Sequence, residues 1–298
     1  MIRKALIAAL LLFVFSSARA QGSSVSSSQL KIPLTARSAA LGESTVSDPG
    51  HLSSWLVNPA NLFSAAPLAV ALTHSQWMRD IQTEFLATRI PFASGTLGVG
   101  VSTNSVPGIE IRNVPGPSLG TFSARFASFQ IGYAQNLTSD VVLGASAKYL
   151  YEKLYVDETT GFGFDAGIIY STPVQGLKVG LAITNIGGLQ QFRNDRSDLP
   201  TFSRIGASYA FQQDEFDFCL SGAWANNVQD RESHLQGSLE ATYSQKVSLR
   251  FGYQTGYESR ALSAGIGVRF EFIQFDYAYV PFTLGLGDSH LFSLGFQF

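Results

Sequence analysis

The stretch Ser289-His290-Leu291-Phe292-Ser293-Leu294-Gly295-Phe296-Gln297-Phe298 decides the fold. His290, Phe292, Leu294, Phe296 and Phe298 alternate with Ser289, Leu291, Ser293, Gly295 and Gln297. Period-2 alternation sends successive side chains to opposite faces of a strand. One face here is large and mostly apolar, and the strand finishes on an aromatic residue. In a transmembrane barrel that face meets lipid, while the other faces a lumen that tolerates polar groups. The same pattern recurs along the chain. Val141, Leu143, Ala145, Ala147, Tyr149 and Tyr151 oppose Gly144, Ser146, Lys148 and Glu152. Leu235, Gly237, Leu239, Ala241 and Tyr243 oppose His234, Gln236, Ser238 and Glu240. A helix would need apolar residues at i, i+3, i+4 and i+7, which these segments lack.

The other end of the chain points to export. Arg3 and Lys4 precede an apolar run, Ala5–Phe15, and Ala18-Arg19-Ala20 forms a small-x-small cleavage site. A bilayer-spanning helix needs about 20 apolar residues, so this run reads as a signal peptide over 1–20. Composition agrees with a barrel: 45% of residues are hydrophobic and only 14% charged, against roughly 25% charged in an ordinary soluble domain. A secreted β-sandwich is the alternative, but it needs fewer residues than remain after cleavage. A net charge of −2 argues against a nucleic-acid partner. The single Cys219 cannot form an internal disulfide and reads as a small side chain within a strand.

Residues 21–35 are Ser-rich and read as a mobile leader. Residues 36–66 show no sustained alternation; their small residues, Gly42 and the Asn58-Pro59 step suggest turns and short helix forming a plug. From 67 to 298 the sequence reads as an all-β, antiparallel transmembrane barrel. Strands are expected near 67–77, 80–91, 94–104, 121–135, 140–153, 160–171, 175–186, 201–212, 214–226, 233–244, 245–257, 259–271, 272–281 and 289–298. That set numbers about 14, an even count as bacterial single-chain barrels require. Thr172-Pro173 and Ser244-Gln245 read as periplasmic turns; Val106–Gly120, the polar Gly187–Pro200 and Pro281–Asp288 read as extracellular loops. Trp77, Tyr149, Tyr151, Tyr170, Trp224, Tyr253, Tyr257, Tyr277 and Tyr279 could supply the aromatic girdles.

Several segments together resemble the PorV/PorQ-like outer-membrane proteins, which are similar in turn to FadL-type channels. They are Ala36-Arg37-Ser38-Ala39-Ala40-Leu41-Gly42 with Asn58-Pro59-Ala60-Asn61-Leu62, then Leu137–Lys153 with Phe162–Tyr170, Gly176–Gly187, and Asp276-Tyr277-Ala278-Tyr279. One departure is visible: the stretch between Gly42 and Asn58 lacks the paired Asp residues of many members. The resemblance implies a 14-stranded barrel with an N-terminal plug. It also implies one of two roles. PorV-type members receive secreted cargo proteins in type IX secretion and pass them to a surface attachment complex. FadL-type relatives move a hydrophobic small molecule through a plugged, laterally open barrel.

Two groups of residues are candidates for function. Arg37, Gly42, Asn58, Pro59 and Asn61 lie in the plug, where Asn before Pro favours an extended or turn geometry that could seat or gate it. Alternation turns Lys148, Asp165, Lys178, Arg204, Asp217, Glu240, Arg250, Arg269, Glu271 and Asp276 away from lipid. A mid-depth Arg or Lys on the lipid face would cost roughly 2–4 kcal/mol. These charges could form a polar conduit, but their mixed signs favour pairing that holds plug to wall over a selective ring of one sign. The four His residues, His51, His74, His234 and His290, sit in no nucleophile elbow or His-x-x-x-His spacing. No phosphate loop, dinucleotide fingerprint or Cys/His cluster is present, so neither catalysis nor a cofactor or metal is expected. Outer-membrane lipid is the expected surrounding.

Overall fold

The computed structural model describes residues 27–49, 51–64, 68–112, 114–192 and 195–298. The signal-peptide reading, most of the leader and Arg193 of the polar loop lie outside the described residues. Fifteen strands form one antiparallel sheet. They are β1 (Ala69–Gln76), β2 (Gln82–Phe92), β3 (Gly95–Ile111), β4 (Gly120–Asn136), β5 (Val141–Leu154), β6 (Asp157–Ser171), β7 (Leu177–Phe192), β8 (Asp195–Asp198), β9 (Phe202–Gln213), β10 (Phe216–Asn227), β11 (Glu232–Tyr243), β12 (Val247–Gln254), β13 (Leu262–Phe270), β14 (Ile273–Pro281) and β15 (Asp288–Gln297). Every strand but β8 pairs with its neighbours around a ring, and β1 joins β15 from Ala69↔Gln297 to Gln76↔His290. The result is a closed barrel of fourteen strands, with no free sheet edge.

The alternation sets which face is which. Leu72, Phe129, Phe164, Leu220 and Phe251 stand exposed on the outer surface, while Thr73, Gln130, Asp165 and Arg250 are buried on the inner one. An apolar belt of this extent, unbroken around the wall, suits contact with lipid rather than water. Connections of two to five residues lie at the end that also holds the start of β1 and the finish of β15. Ser244 and Gln245 turn there with φ of 46° and 57°, left-handed backbone that reverses the chain within the three-residue connection 244–246. The longer connections, including 112–119 and 282–287, gather at the opposite end.

Several boundaries differ from the sequence reading for identifiable reasons. The first part of Val106–Gly120 is strand: β3 continues to Ile111 through a bulge between Val106 and Ile109. Pro107 and Gly108 (φ 71°) mark that bulge rather than a loop. Gly187–Pro200 is likewise a continuation of β7, paired to the short arm β8, after which Leu199 turns inward and is fully buried. The expected leader is packed from Ser27 onward: Ser27 is buried, and residues Ser28–Lys31 form a 3-10 turn. Trp77 belongs to no lipid-facing girdle; it is buried against Phe282 and Arg260 beneath the long connections. Tyr149, Tyr170, Trp224 and Tyr253 are exposed on the outer wall.

The bore is occupied by the chain N-terminal to β1. Helix α1 (Ala36–Ala40) packs on β12 to β15, while the 3-10 turn Pro59–Leu62 packs on β3 to β6 across the lumen. Thr35 caps α1 by accepting from the Ser38 amide at 3.4 Å. Asn58 caps the second turn, accepting from the Ala60 amide at 3.0 Å, with Pro59 at the first helical position.

Candidate functional site

The inner wall is shaped to this segment by absent side chains. A Cβ at Gly98 would stand 2.7 Å from Leu62 Cδ1, and one at Gly132 would stand 2.8 Å from Trp55. At Gly144 it would fall on the Ala60 amide nitrogen, and at Gly167 on Asn58 Oδ1. Gly180 meets Val46 in the same way, Gly252 meets Gly42, and Gly265 meets Ala40. Glycines from seven strands therefore make one socket, into which Trp55 and Leu62 insert fully buried. Close packing of this kind leaves little room for substitution.

Two polar networks reinforce the seat. Arg37 on α1 donates to Glu240 of β11 through Nε (3.1 Å) and Nη2 (2.5 Å), and to Asp48 through Nη1 (2.5 Å). Arg250 of β12 donates to the same Glu240 at 2.6 Å and to Asp276 of β14 at 2.6 Å. It reaches Asp276 across β13 because Gly267 has no side chain in the way. Burial alone would raise the Asp48 carboxyl, but the Arg37 guanidinium outweighs it and holds the group below its ordinary value. The Arg37 charge and burial also lower His51, whose Nε2 lies 3.9 Å from Asp48. Asn61 accepts from the Asp48 amide (2.8 Å) and donates to the Thr45 and Ser54 carbonyls. Asn58 donates to the Val46 carbonyl at 2.7 Å and reaches the wall carbonyls of Ile168 and Leu181.

The second network lies on the β5–β6–β7 wall. Asp165 accepts from Lys148 (2.9 Å), from Gln130 (3.1 Å), from Ser146 (2.5 Å) and from the Asn185 amide (2.7 Å). Asn185 has φ 62°, and here two residues of β7 oppose one of β6. The buried carboxylate thus fixes a β-bulge, replacing ladder bonds that the extra residue disrupts. Toward the long connections, Glu43 meets Arg260 at 3.4 Å and Lys31 pairs with Asp230. Glu152 accepts from Ser27 and Gln29. Arg260 is held between Tyr257 and Trp77.

These contacts sort the residues singled out from the sequence. Arg37, Asn58 and Asn61, with Lys148, Asp165, Glu240, Arg250 and Asp276, belong to the two networks. Pro59 starts its turn, and Gly42 (φ 56°) takes a left-handed conformation after α1. Lys178, Asp217 and Arg269 stand near the short-turn ends of their strands, outside both networks. Glu271 is corrected outright: it occupies the tight β13–β14 turn with φ 52° and does not face the lumen. Sequence reasoning missed Asp48, Asn185, Gln130 and the glycine socket. Asp48 stands alone in the stretch noted for lacking paired Asp residues, and it is the partner Arg37 uses.

Beside the segment remains a cavity of about 60 Å³ with two characters. Its lining mixes apolar Leu30, Leu34, Leu56, Phe126 and Leu150 with polar and charged Glu43, Asn104, Gln130, Lys148, Asn185 and Arg204.

No protein-family profile matches the chain, and no curated protein matches it. Solved structures do. The P. putida toluene transporter TodX superposes with a TM-score of 0.59 at 11% identity, covering 89% of this chain and 98% of that one. A TodX monoaromatic hydrocarbon channel mutant gives 0.60 at 13% identity, over 89% and 99% of the two chains. A Pseudomonas aeruginosa FadL homologue gives 0.52 at 11% identity, over 89% and 98%. The chain therefore shares the barrel fold of FadL-type outer-membrane channels.

Proposed function

We propose that this protein is a non-enzymatic, integral protein of the bacterial outer membrane that conducts a hydrophobic small molecule past an N-terminal plug. Supporting this reading is the cavity beside residues 27–64: the bore is filled by a segment seated in glycines and buried ion pairs, yet a space lined in part by leucines persists next to it. An open aqueous porin has no use for such a filling, whereas ligand sites are mostly apolar with a few placed polar groups. The fold shared with a toluene transporter and a FadL homologue points the same way. In this reading 1–20 is the signal peptide, 27–64 is the plug, and the long connections face outward. The test is uptake of radiolabelled toluene by cells lacking the gene and by complemented cells. Saturable uptake restored by the gene supports the channel; identical uptake in both rules it out.

The second reading is a PorV-like acceptor of secreted cargo, favoured by the order and spacing of the plug and strand motifs that resemble that family. It predicts that deletion traps cargo proteins in the periplasm while toluene uptake is unchanged. A comparison of the surface proteome with and without the gene separates the two.

A further inference from the structure

The outer wall is not the same all round. Toward the long connections, β9 to β13 turn Ile205, Trp224, Leu235, Tyr253 and Leu262 outward, and none of these is an acid, a base or an imidazole. The sector from β14 through β15 and β1 to β2 differs. His74 and Glu84 face outward from paired positions, Nδ1 2.6 Å from Oε1, with side chains 53% and 60% exposed. Tyr277 on β14 and His290 on β15 stand nearby, the hydroxyl 2.8 Å from His290 Nδ1. One step beyond, Gln76 lies opposite both His290 and Gln82. An exposed ion pair adds little stability of its own, and ionisable groups on a membrane-facing surface are costly enough to mark function.

On the short-turn side of this polar rim the wall is hollowed. A groove of about 470 Å³ is lined by Leu72, Leu86, Val101, Phe275, Phe292 and Leu294, and His74 and Glu84 close one end of it. Phe275 and Tyr277 flank Phe292, with ring centroids 6.5 and 5.2 Å away, and form its aromatic bank. Ligand sites span roughly 300–1,000 Å³ and combine an apolar lining with a few placed polar groups. This groove is apolar along the wall and polar at its outer end, which is the division within a lipid molecule.

The rim selects a head group by charge. Glu84 keeps a carboxylate face open, which repels a phosphate standing alone and attracts an ammonium. His74, Gln76 and Gln82 set hydrogen-bond donors around it. We propose that this groove holds one phospholipid with a phosphoethanolamine head: an acyl chain along Leu72 and Phe292, the ammonium on Glu84, and the phosphate on the neighbouring donors. The site lies outside the barrel and rests only on the membrane location in the proposed function, not on conduction through the bore.

The experiment equilibrates the full chain in detergent with phosphatidylethanolamine, phosphatidylcholine or phosphatidylglycerol of matched acyl chains, and reads retained lipid by native mass spectrometry. The choline head has no N–H to donate and the glycerol head has no cation. A hydrogen bond to a charged group is worth about tenfold or more, so the parent should retain phosphatidylethanolamine about that much more tightly than the other two. Glu84→Gln should remove the preference and leave retention of the other two unchanged. Val101→Trp fills the groove and should lower retention of all three. Equal retention of the three lipids by the parent overturns the proposal without using any variant. A phosphorylated glycolipid retained as tightly as phosphatidylethanolamine also overturns it, because phosphate alone then suffices. Competition by glycerophosphoethanolamine at the concentration of the lipid overturns the role of the groove. Heat-modifiable migration after insertion into vesicles tests the membrane location separately, so lipid selectivity can fail while that location stands.

Discussion

Replacing Arg37 by Met keeps much of the side-chain volume and removes the charge at the centre of the larger network. Three carboxylate contacts disappear, two to Glu240 and one to Asp48, along with a 3.2 Å bond to Ser54. Glu240 retains Arg250 at 2.6 Å, and Asp48 retains the Ser54 hydroxyl at 2.9 Å. Glu240 then keeps one cation, while Asp48 keeps the Ser54 hydroxyl and the His51 ring 3.9 Å away, inside a packed interior. Removing one member of a buried ion pair costs about 3–5 kcal/mol. The penalty falls on the seated state, because an unseated segment can hydrate Asp48. At 1.4 kcal/mol per tenfold, the unseated population should rise by roughly two to three orders of magnitude. Val57, buried in the segment, marks the position at which to read this. With Cys219 replaced by Ser and a cysteine introduced by Val57→Cys, maleimide should label the parent slowly and the Arg37→Met variant at least a hundredfold faster. The triple variant Arg37→Met, Asp48→Asn, Glu240→Gln should recover much of the protection, since no uncompensated acid remains on the segment. Labelling of Arg37→Met within threefold of the parent would refute the argument that this network holds the segment in place.

Three further outcomes follow from the same geometry. Gly167→Leu places atoms on Asn58 Oδ1 and should open the introduced cysteine to maleimide, whereas Gly222→Ala, whose nearest neighbour lies 3.9 Å away, should leave labelling unchanged. The lowered Asp48 contributes seating stability that is present above its unfolded value, about 4, and lost as pH falls through the lower folded one, while the lowered His51 contributes stability that begins to be lost as pH falls below its unfolded value, about 6.5; accessibility of the same cysteine, labelled after equilibration, should be flat from pH 7 to 8, rise as pH falls below about 6.5, and rise further below about 4. Deleting residues 27–64 should give a steady conductance in planar bilayers where the intact chain gives none, since a barrel of this size then encloses water; a silent deletion variant that still migrates as a folded barrel contradicts this.

The barrel was legible because lipid outside and polar groups inside impose one period on every strand. In β11 the alternation matches exposure where side chains are large: His234, Gln236 and Glu240 are buried while Leu235, Leu239 and Tyr243 are exposed, and β5 does the same with Ser146, Lys148 and Glu152 against Leu143 and Tyr149. It failed where a bulge interrupts the phase: Pro107-Gly108 has the composition of a loop end, yet Ile109 and Ile111 pair again beyond it. Serines at 27 and 28 read as solvent-loving because nothing local shows that Glu152, 125 residues away, accepts from Ser27. The site was legible only as a set of inward charges. Arg37 and Glu240 stand 203 residues apart, and nothing in sequence pairs them. The glycine socket did leave a trace: Gly132, Gly144, Gly167, Gly180, Gly252 and Gly265 all fall on the inward phase of their strands, where side chains of any size would otherwise be tolerated.

The seam between β1 and β15 joins the two ends of the barrel sequence. The segment filling the bore precedes β1, yet its helix α1 packs on β12 to β15 and Arg37 reaches Glu240 of β11, all late strands. Trp55 sits between glycines of separate strands, so the wall and its filling complete one another's packing. Arg37 pairs with Asp48 within the segment and gains Glu240 only when β11 is in place. Sequence-distant pairing of this order makes assembly slow, and it gives the N-terminal segment a second task as the mandrel on which the cylinder is wound.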